Sequence, residues 1–491
     1  DGIRDAQESR GLGDVYKRQV IGPPGTGKTR SLLQTVQRYR DEGVALEDIG
    51  YFAFTRKAAN ESRDRFLKVN TDLTKKDIPY FKTLHSFAFN QLGLKEENVM
   101  QEEHYKKIGE SCGIQIKYAS HETNQWNGIF SSDSEYLSLI NLAAVKQISP
   151  LEQFDLNEHL TWVDRSKLDA IAKEIENYKK VYGLIDFNDM IKKFLTSGGD
   201  KAFKVIIVDE AQDLSRLQWD MLEKIIDNSK DKNPHVWIAG DDDQAIFGWA
   251  GADVRSFILW KGGELRLTKS QRVPVDIQTR ALDIITRVGV NRIAKDYLPR
   301  EEKGEIIERF KLSDIITDME KGDWLILTRT NSLLKPILPL LRRHGLFFET
   351  AQGNSIGKSL HEDIEVWNKM RANEDVAEVQ SQRVKERMDV VDLSLPWQKA
   401  FTKVSPTKLD YMDAMITNGE DLNEDPRIKV STIHGAKGGE ATNVVLFLNQ
   451  TTNTIKGAKK SIAKQDEEYR VWYVGVTRSC LLYTSPSPRD S

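Results

Sequence analysis

The chain has 491 residues, of which 39% are hydrophobic and 30% are charged, and its formal net charge is −3 at pH 7. No apolar run approaches the roughly 18 residues that a membrane-spanning helix needs. The composition therefore argues against a membrane span and predicts a soluble, cytoplasmic chain of two or more globular domains.

The two ends of the chain differ from the rest. Residues 1–19 and 480–491 back-translate to the two strands of a sequencing-library adapter, so we predict that both are adapter-derived and exclude them from the fold. Two natural tails are the alternative. With Cys480 set aside, only Cys112 remains, which excludes a disulfide framework or a cysteine-based metal site and fits a reducing, intracellular setting.

Short apolar runs rich in β-branched residues alternate with helical stretches, a pattern typical of buried parallel strands. In chain order they are Ile49–Thr55, Lys204–Val208, Val236–Gly240, Trp324–Thr328, Lys429–Ile433 and Asn443–Leu448. Charged, helix-favouring segments dominate residues 90–185 and again residues 351–426. The pattern predicts an α/β fold with parallel sheets and two mostly helical insertions.

A glycine-rich segment follows the apolar pair Val20-Ile21 and precedes a helical pattern. It fits G-x-x-x-x-G-K-[ST] through Gly22, Gly25, Thr26, Gly27, Lys28 and Thr29. In this arrangement backbone amides approach phosphate oxygens, the lysine reaches the β- and γ-phosphates, and the threonine ligates Mg²⁺. The context of strand, loop and helix predicts an ATP site, with a ligand-free glycine-rich turn as the alternative.

Two carboxylates, Asp209 and Glu210, end the apolar run that begins at Lys204. An aspartate in this place can hold Mg²⁺, and the following glutamate can polarise the water that attacks the γ-phosphate. A carboxylate that caps the next helix is the alternative for both. With the glycine-rich loop, the pair predicts a catalytic site containing Lys28, Asp209 and Glu210, and a metal site at Thr29 and Asp209.

Eight further motifs follow the order found in one helicase family. They begin at Phe52, Thr83, Asp186, Gly240, Leu267, Leu327, Val430 and Tyr473, and read FAFTRKAAN, TLHSF, DFND, GDDDQAIFGWAGAD, LTKSQR, LTRTN, VSTIHGAKGGE and YVGVTR. With the glycine-rich loop and the acidic strand end, the set resembles the UvrD/Rep helicases across nearly all of residues 20–479.

The resemblance implies two RecA-like P-loop domains with ATP between them, each with a parallel sheet and a mostly helical insertion. Residues 20–89 and 186–264 would form the first domain, with residues 90–185 as its insertion. Residues 265–350 and 427–479 would form the second domain, with residues 351–426 as a reduced insertion.

The resemblance also implies roles around the nucleotide. Gln244 would sense the γ-phosphate, while Arg272 and Arg478 would act as arginine fingers that stabilise charge on the transferring phosphoryl group. Glu440 would contact the ribose, and Arg30 matches the residue beneath adenine. For an arbitrary arginine, a surface ion pair is the alternative.

A second set of matched positions would touch nucleic acid: Phe54, Thr55, Thr83, His85, Phe247, Trp249 and His434. In this family the aromatics matching Phe247 and Trp249 stack on bases, an interaction that tolerates any base sequence. The alternative for both is core packing, and the alternative for the two histidines is a hydrogen-bonded place in the core.

Three departures from the family pattern affect these expectations. Gln271 replaces the tyrosine that would stack on adenine, and Ala250 replaces an arginine that follows the platform tryptophan. The interval between Arg272 and His434 is short, which indicates a reduced second insertion. Residues 1–19 also stand where the family carries a glutamine motif that reads adenine.

The motifs predict an ATP-dependent DNA helicase or translocase that uses Mg²⁺ and moves on single-stranded DNA, with 3′-to-5′ movement implied by the resemblance. One alternative is a translocase that strips proteins without unwinding, and another is the motor subunit of a helicase–nuclease complex. A non-motor P-loop switch protein is a third, against which the arginines and aromatics argue. Expected partners are single strands and duplex–single-strand junctions, with no membrane. We expect a monomer, and a loading or nuclease partner is left open.

Overall fold

The computed structural model describes residues 16–116, 134–157, 160, 162–309, 311 and 313–485, with no side-chain detail at residues 231, 320 and 480–485. The outer parts of the two segments predicted to be adapter-derived, residues 1–15 and 486–491, lie outside the described residues. Contrary to the expectation that both segments stand outside the fold, residues 17–19 belong to a sheet strand, Lys17–Ile21, and residues 480–485 to another, Ser479–Ser485. The chain divides into two compact units. Unit 1 contains Asp1–Arg272, Ile284–Arg300 and Ile462–Arg470, and unit 2 contains Val273–Asp283, Glu301–Ser461 and Val471–Ser491.

Helices and strands alternate through the first part of the chain. The elements are β1 (Lys17–Ile21), α1 (Lys28–Asp41), β2 (Ile49–Ala53), α2 (Arg56–Val69), β3 (Phe81–Lys82), α3 (Leu84–Gln91), α4 (Glu102–Ser111), α5 (Glu135–Lys146), α6 (Pro150–Asp155), α7 (Arg165–Tyr182), α8 (Phe187–Ser197), β4 (Val205–Asp209), α9 (Arg216–Asn228), β5 (His235–Gly240), α10 (Val254–Ile258), β6 (Gly263–Arg266), β7 (Lys269–Pro274), α11 (Val275–Ile285) and β8 (Leu298–Arg300).

Unit 1 is built on a six-stranded sheet with the order β3-β2-β4-β5-β1-β6, and every pair in it is parallel. Strands β2 and β4 are buried along their full length, as expected for apolar runs covered on both faces. Because the carboxyl ends of parallel strands meet at one edge, the segments that follow β1, β4 and β5 come together there. That edge carries the candidate nucleotide site.

The described residues between α3 and β4 are mainly helical, in line with the charged, helix-favouring composition of this part of the chain. Helices α4, α5 and α7 enclose a small apolar core that includes Met100, Ile108, Leu137 and Ile171. Helix α7 has a hydrogen-bonded aspartate cap at Asp164 and ends at a left-handed glycine, so its boundaries follow from local sequence.

The second part of the chain repeats the alternation. Its elements are β9 (Glu305–Glu308), α12 (Ser313–Ile316), β10 (Trp324–Thr328), α13 (Asn331–Leu334), α14 (Ile337–Arg343), β11 (Phe348–Thr350), β12 (Gly353–Asn354), α15 (Lys358–Arg371), α16 (Glu378–Lys385), α17 (Trp397–Ala400), α18 (Pro406–Thr417), β13 (Ile428–Thr432), β14 (Ala441–Phe447), α19 (Thr452–Ala458), α20 (Ile462–Val476) and β15 (Ser479–Ser485).

Unit 2 contains a seven-stranded sheet with the order β12-β11-β13-β10-β14-β15-β9. Its pairs are parallel except for the short β11–β12 hairpin. Helices α15 to α18 pack their apolar residues into the same core as β10 and β13. The predicted α/β class with parallel sheets is confirmed, and all six predicted strands are present within one or two residues of their expected bounds.

Segments Ile284–Arg300 and Ile462–Arg470 belong to unit 1, whereas the sequence-based boundaries assigned both of them to the second domain. Side chains from both segments contact the turn after β5, which accounts for their place in unit 1. No helix among the described residues combines the length and apolar character needed to cross a membrane.

Candidate nucleotide site and nucleic-acid interface

The glycine-rich loop connects β1 to the first turn of α1. Gly25 and Gly27 adopt left-handed backbone angles, with φ of 74° and 84°, which side-chain-bearing residues rarely adopt. Lys28 is buried, and its Nζ donates a hydrogen bond of 2.8 Å to the carbonyl oxygen of Gly22. The ammonium is therefore held within the loop whose amides precede the helix, an arrangement suited to phosphate oxygens.

Thr29 and Asp209 meet at the carboxyl edge of the sheet. The Thr29 hydroxyl donates to Asp209 Oδ2 at 2.7 Å, and the buried Tyr51 hydroxyl donates to the same oxygen at 3.0 Å. Burial and the adjacent Glu210 raise the pKa of Asp209 to about 6, although Thr29, Lys28 and Tyr51 act in the opposite direction. This carboxylate is short of nearby positive charge.

Glu210 connects to Gln244 through residues that the sequence had not singled out. Gln212 donates its amide to Glu210 Oε2 at 2.5 Å and accepts the backbone N–H of Asp241 at 3.0 Å. Gln244 then donates to Asp241 Oδ2 at 2.8 Å. A continuous chain of hydrogen bonds thus links Glu210 to Gln244. In the sequence, only the position of Gln212, two residues after Glu210, pointed to this chain.

Three consecutive carboxylates, Asp241, Asp242 and Asp243, are buried in the turn that carries Gln244. The Nζ atom of the buried Lys295 lies 3.1 Å from Asp241 and 3.1 Å from Asp243, and also contacts Asp242. Burial opposes the charge on Lys295, but the three carboxylates outweigh it and raise its pKa.

Arg292 completes this cluster with a two-pronged contact to Asp243, at 2.8 and 3.1 Å. Burial raises the pKa of Asp243 to about 6, although Lys295 lowers it. Burial also acts to raise the pKa of Asp241, but Lys295 and Lys28 outweigh it and leave that pKa below the ordinary value. Neither basic residue lies in a recognised motif, so sequence reasoning missed both.

Arg272 lies beside the glycine-rich loop. The backbone N–H of Gln271 donates to the carbonyl oxygen of Gly25 at 2.8 Å, and the Ser270 hydroxyl donates to that of Pro24 at 2.8 Å. A Cβ atom added at Gly25 would stand 2.5 Å from the Cβ atom of Arg272, so the approach requires glycine. Arg30 is exposed on the first turn of α1.

The predicted aromatic platform contains one buried and one exposed ring. Phe247 is 1% exposed and stacks on Phe54, with ring centroids 5.4 Å apart. Trp249 is 51% exposed, and its backbone N–H donates to Glu467 at 2.9 Å. The Trp249 ring is therefore accessible from solvent, and base stacking by Trp249 and by Phe247 stays a prediction.

The two threonines predicted to touch nucleic acid, Thr55 and Thr83, cap helices. Thr55 accepts the backbone N–H of Ala58 at the start of α2, and Thr83 accepts that of Ser86 at the start of α3. His85, two residues after Thr83, is buried near Phe187, and its Nε2 has no hydrogen-bond partner among the described residues. Burial and Arg56 lower the pKa of His85 to about 4, so its ring is neutral at pH 7.

Three predicted site residues belong to unit 2. Arg478 follows α20 and is buried, with Nε donating to the carbonyl oxygen of Val474 at 3.1 Å and Nη1 to that of Gly439 at 3.3 Å. Its second contact brings Arg478 beside the chain segment that carries Glu440. His434 follows β13 in the same unit.

Comparison with known proteins identifies the family of the chain. The sequence profile of the UvrD/REP helicase N-terminal domain matches residues 12–261, just over half of the chain. The chain belongs to the UvrD/Rep helicase family.

Relatives in this family share modest identity with the chain. DNA helicase II of Haemophilus influenzae is 24% identical over 376 residues, which cover 70% of this chain and 50% of that protein. ATP-dependent DNA helicase PcrA of Staphylococcus aureus is 22% identical over 295 residues, or 58% of this chain and 39% of the relative. ATP-dependent DNA helicase srs2 of Schizosaccharomyces pombe is 25% identical over 313 residues, which cover 55% of this chain and 33% of that protein. This UvrD/Rep family member therefore spans about half, or less, of these relatives' length.

The UvrD/Rep residues at the loop edge fit a magnesium ion. A threonine hydroxyl and a carboxylate supply the hard oxygen ligands that Mg²⁺ prefers, and Thr29 Oγ1 and Asp209 Oδ2 lie 2.7 Å apart. The raised pKa of Asp209 marks a buried carboxylate whose ionised form a divalent cation would stabilise. Thr29 and Asp209 are the residues that would hold it.

Proposed function

We propose that the chain is an ATP-hydrolysing DNA helicase that moves on single-stranded DNA and couples hydrolysis to strand separation. The observation that carries the proposal is the 2.7 Å contact between Thr29 and Asp209, which joins the phosphate loop to the acidic strand end. The family membership supports the same function. The relatives' names describe DNA helicases, two of them ATP-dependent.

Within the site, the proposed chemistry is carried by charge and position. Lys28 and Arg272 donate to oxygens of the transferring phosphoryl group, and Glu210 orients the attacking water and accepts its proton. Bound Mg²⁺ supplies charge neutralisation at the phosphate oxygens. Arg478, Glu440 and Arg30 keep the roles that the family resemblance implies.

Gln244 is proposed to report the state of the nucleotide to the strand-binding residues. It lies five residues before Trp249 and is linked by hydrogen bonds through Asp241 and Gln212 to Glu210. A change at the phosphates would therefore reach the segment that carries the exposed indole. Alternating grip on the strand would convert this change into steps.

The strand itself is proposed to contact Trp249 by base stacking, worth about 1–3 kcal/mol per base. Phe54, Thr55, Thr83, His85, Phe247 and His434 are the other proposed contacts. Movement from 3′ to 5′, preference for duplex–single-strand junctions and a monomeric state are proposed from the family resemblance.

Replacing Lys28 tests the proposal. In the Lys28→Ala variant, strand-stimulated ATP hydrolysis should fall at least about 100-fold, because the ammonium no longer meets the phosphates. Circular dichroism and single-strand affinity should stay close to those of the parent. Lys173→Ala, at an exposed lysine paired with Asp169 on α7, is the matched control and should leave hydrolysis unchanged. Survival of ATP turnover in Lys28→Ala would contradict the site assignment.

A duplex carrying a 3′ single-stranded tail separates the helicase from the protein-stripping translocase. Displacement of the paired strand that depends on ATP supports the helicase. Strand-stimulated hydrolysis without displacement would instead select the translocase, and would leave the nucleotide site intact.

A further inference from the structure

A buried tyrosine outside the recognised motifs contacts the candidate magnesium site. Tyr51 lies in β2, one residue before the motif that begins at Phe52. Its side chain is fully buried, and its hydroxyl oxygen lies 3.0 Å from Asp209 Oδ2, which also accepts the hydrogen bond from Thr29. Tyr51 thus contacts one of the two residues that would hold Mg²⁺.

The parallel pairing of β2 with β4 places this tyrosine on the right face of the sheet. Tyr51 pairs with Ile207, and Ala53 pairs with Asp209, so Asp209 lies two positions further along the neighbouring strand. Residues two apart on a strand share one face. The side chains of Tyr51 and Asp209 therefore point to the same side, and the long phenol spans the offset between them.

Packing fixes the direction of the phenol. Its ring stacks on that of Phe81 in β3, with centroids 4.8 Å apart and an angle of 6° between the planes. The backbone N–H of Tyr51 also donates to the carbonyl oxygen of Tyr80 at 3.0 Å. Because both the ring and the backbone are held, the hydroxyl has little freedom to turn away from Asp209.

The single proton of the phenol has one preferred acceptor. An ionised carboxylate can only accept hydrogen bonds, whereas a phenol keeps its proton at pH 7 and can donate it once. The Ser62 Oγ atom of α2 lies 3.3 Å from the Tyr51 oxygen, further away than Asp209 Oδ2. A Tyr51 proton directed at Asp209 leaves the Ser62 hydroxyl to donate to the phenol oxygen, which satisfies all three groups.

Both oxygens of the Asp209 carboxylate are held by donors. Oδ1 accepts the backbone N–H of Glu210 at 2.9 Å, and Oδ2 accepts from Thr29 and Tyr51. The Glu210 donor belongs to the backbone, and Thr29 is itself an expected metal ligand. Tyr51 is therefore the side chain suited to orienting the carboxylate from outside the metal site.

We infer that Tyr51 is a positioning residue of the magnesium site, whose hydroxyl holds the Asp209 carboxylate in the orientation that binds the ion. This inference rests on the proposed function and adds to it a residue from outside the motifs. Hydrogen bonds from neighbouring groups to a ligating carboxylate fix its orientation, and their loss typically lowers metal affinity by about 10–100-fold. The expected effect is on metal binding and not on the affinity for the nucleotide alone.

The test uses Tyr51→Phe in the full chain, which removes the hydroxyl and keeps the ring that stacks on Phe81. The matched control is Tyr39→Phe, which deletes a buried hydroxyl of the same apolar core that contacts His235 and Trp237. Mn²⁺ binding in the presence of a non-hydrolysable ATP analogue is measured from the loss of the electron paramagnetic resonance signal of the free ion. Affinity for the analogue in EDTA, thermal unfolding and the Mg²⁺ dependence of strand-stimulated hydrolysis are recorded for each variant.

Tyr51→Phe should weaken Mn²⁺ binding by at least about tenfold and raise the Mg²⁺ concentration for half-maximal hydrolysis by a similar factor. At saturating Mg²⁺, kcat should return close to the parental value, because the same carboxylate then holds the ion. The affinity for the analogue in EDTA should be unchanged in both variants. Tyr39→Phe should keep the parental Mn²⁺ affinity.

Parental Mn²⁺ affinity in Tyr51→Phe would overturn the inference and leave the helicase proposal standing. Equal weakening in Tyr39→Phe would do the same, since the loss of any hydroxyl from this core would then explain the effect. A fall in kcat that saturating Mg²⁺ does not restore would also overturn it, because orientation of the metal ligand predicts recovery. If the parent bound no Mn²⁺ together with the analogue, the magnesium site and the proposed ATP hydrolysis would fail together.

Discussion

Asp209 combines deep burial with a shortage of compensating charge. It is 2% exposed, and burial and Glu210 raise its pKa from 3.8 to about 6. Because the pKa in the folded chain lies above the ordinary value, folding favours the protonated form. The resulting stability is complete below about pH 4 and is lost as the pH rises through about 6.

Replacing this carboxylate should therefore change how stability depends on pH. For Asp209→Asn, the free energy of unfolding relative to the parent should grow by about 2 to 3 kcal/mol between pH 4 and pH 7, since a shift of one pKa unit is worth about 1.4 kcal/mol. Urea unfolding at several pH values, without nucleotide or Mg²⁺, measures this difference.

Asp241→Asn provides a control of opposite sign. Burial alone would raise the pKa of Asp241, but Lys295 and Lys28 hold it below the ordinary value. The parent's advantage over this variant should therefore be present at pH 7 and decline as the pH falls. A difference for Asp209→Asn that is flat across the pH range would contradict the assignment of a raised pKa.

At the scale of elements, the segment Ile284–Arg300 holds the turn that carries Gln244. Lys295 is 7% exposed and contacts all three carboxylates of Asp241, Asp242 and Asp243. Removing one partner of a buried charge cluster typically costs about 3–5 kcal/mol, because the remaining charges are left unpaired. The same turn joins the hydrogen-bond chain to Glu210, so its position should matter for hydrolysis as well as for stability.

Lys295→Met should lower kcat for strand-stimulated hydrolysis by about tenfold, a loss near 1.4 kcal/mol in barrier terms, with a smaller change in KM for ATP. Lys295→Arg should recover part of the loss. Steady-state kinetics at a temperature where each variant is folded give both constants.

Lys179→Met is the matched control, because Lys179 is also buried and pairs with Asp186 and Asp189 at 2.9 and 2.6 Å. It should lose comparable stability but retain kcat. Equal kinetic losses in the two variants would show that Lys295 acts only through stability.

The elements recovered from sequence are those with a strong apolar signal. Strands β2, β4 and β10 are fully buried, and their β-branched runs were enough to predict them. Strand β6 is mostly exposed and polar, so it had no comparable signal. Lys295 pairs with Asp242 across 53 positions, a distance at which sequence alone gives no information about contact. Phe247 is buried against Phe54, and its aromatic character alone could not distinguish core packing from base stacking.

At the scale of the whole molecule, the predicted catalytic arginines lie in different units. Arg272 belongs to unit 1 beside the phosphate loop, and Arg478 belongs to unit 2. The motif order suggested a role for each residue, but the joint action of the two arginines on one phosphoryl group stays a prediction. A functional measurement can test it directly.

Arg272→Ala and Arg478→Ala should each lower kcat by at least about 100-fold, since arginine fingers contribute about 10³–10⁵ in related reactions. If both act on the same group, the double variant should lose less than the product of the two single losses. Single-turnover hydrolysis of ATP measures all three.

Arg427→Ala tests whether loss of any part-buried arginine in unit 2 has the same effect. Arg427 pairs with Glu420 at 2.6 Å, so its replacement should reduce stability and leave kcat nearly unchanged. Strictly multiplicative losses for Arg272 and Arg478 would indicate that they act on separate steps.

Glu210 has a backbone φ of 54°, in the left-handed region that glycine adopts readily. For other residues this conformation costs about 1–2 kcal/mol of conformational free energy. A purely structural turn at this point could use glycine and be more stable. The chain instead has a carboxylate here, which accepts a hydrogen bond from the Gln212 amide, the first bond in the chain that ends at Gln244. Selection for ATP hydrolysis and selection for thermal stability would therefore favour different residues at this position. Heat-resistant variants selected without an ATPase screen should accumulate replacements of Glu210 that increase stability but impair hydrolysis.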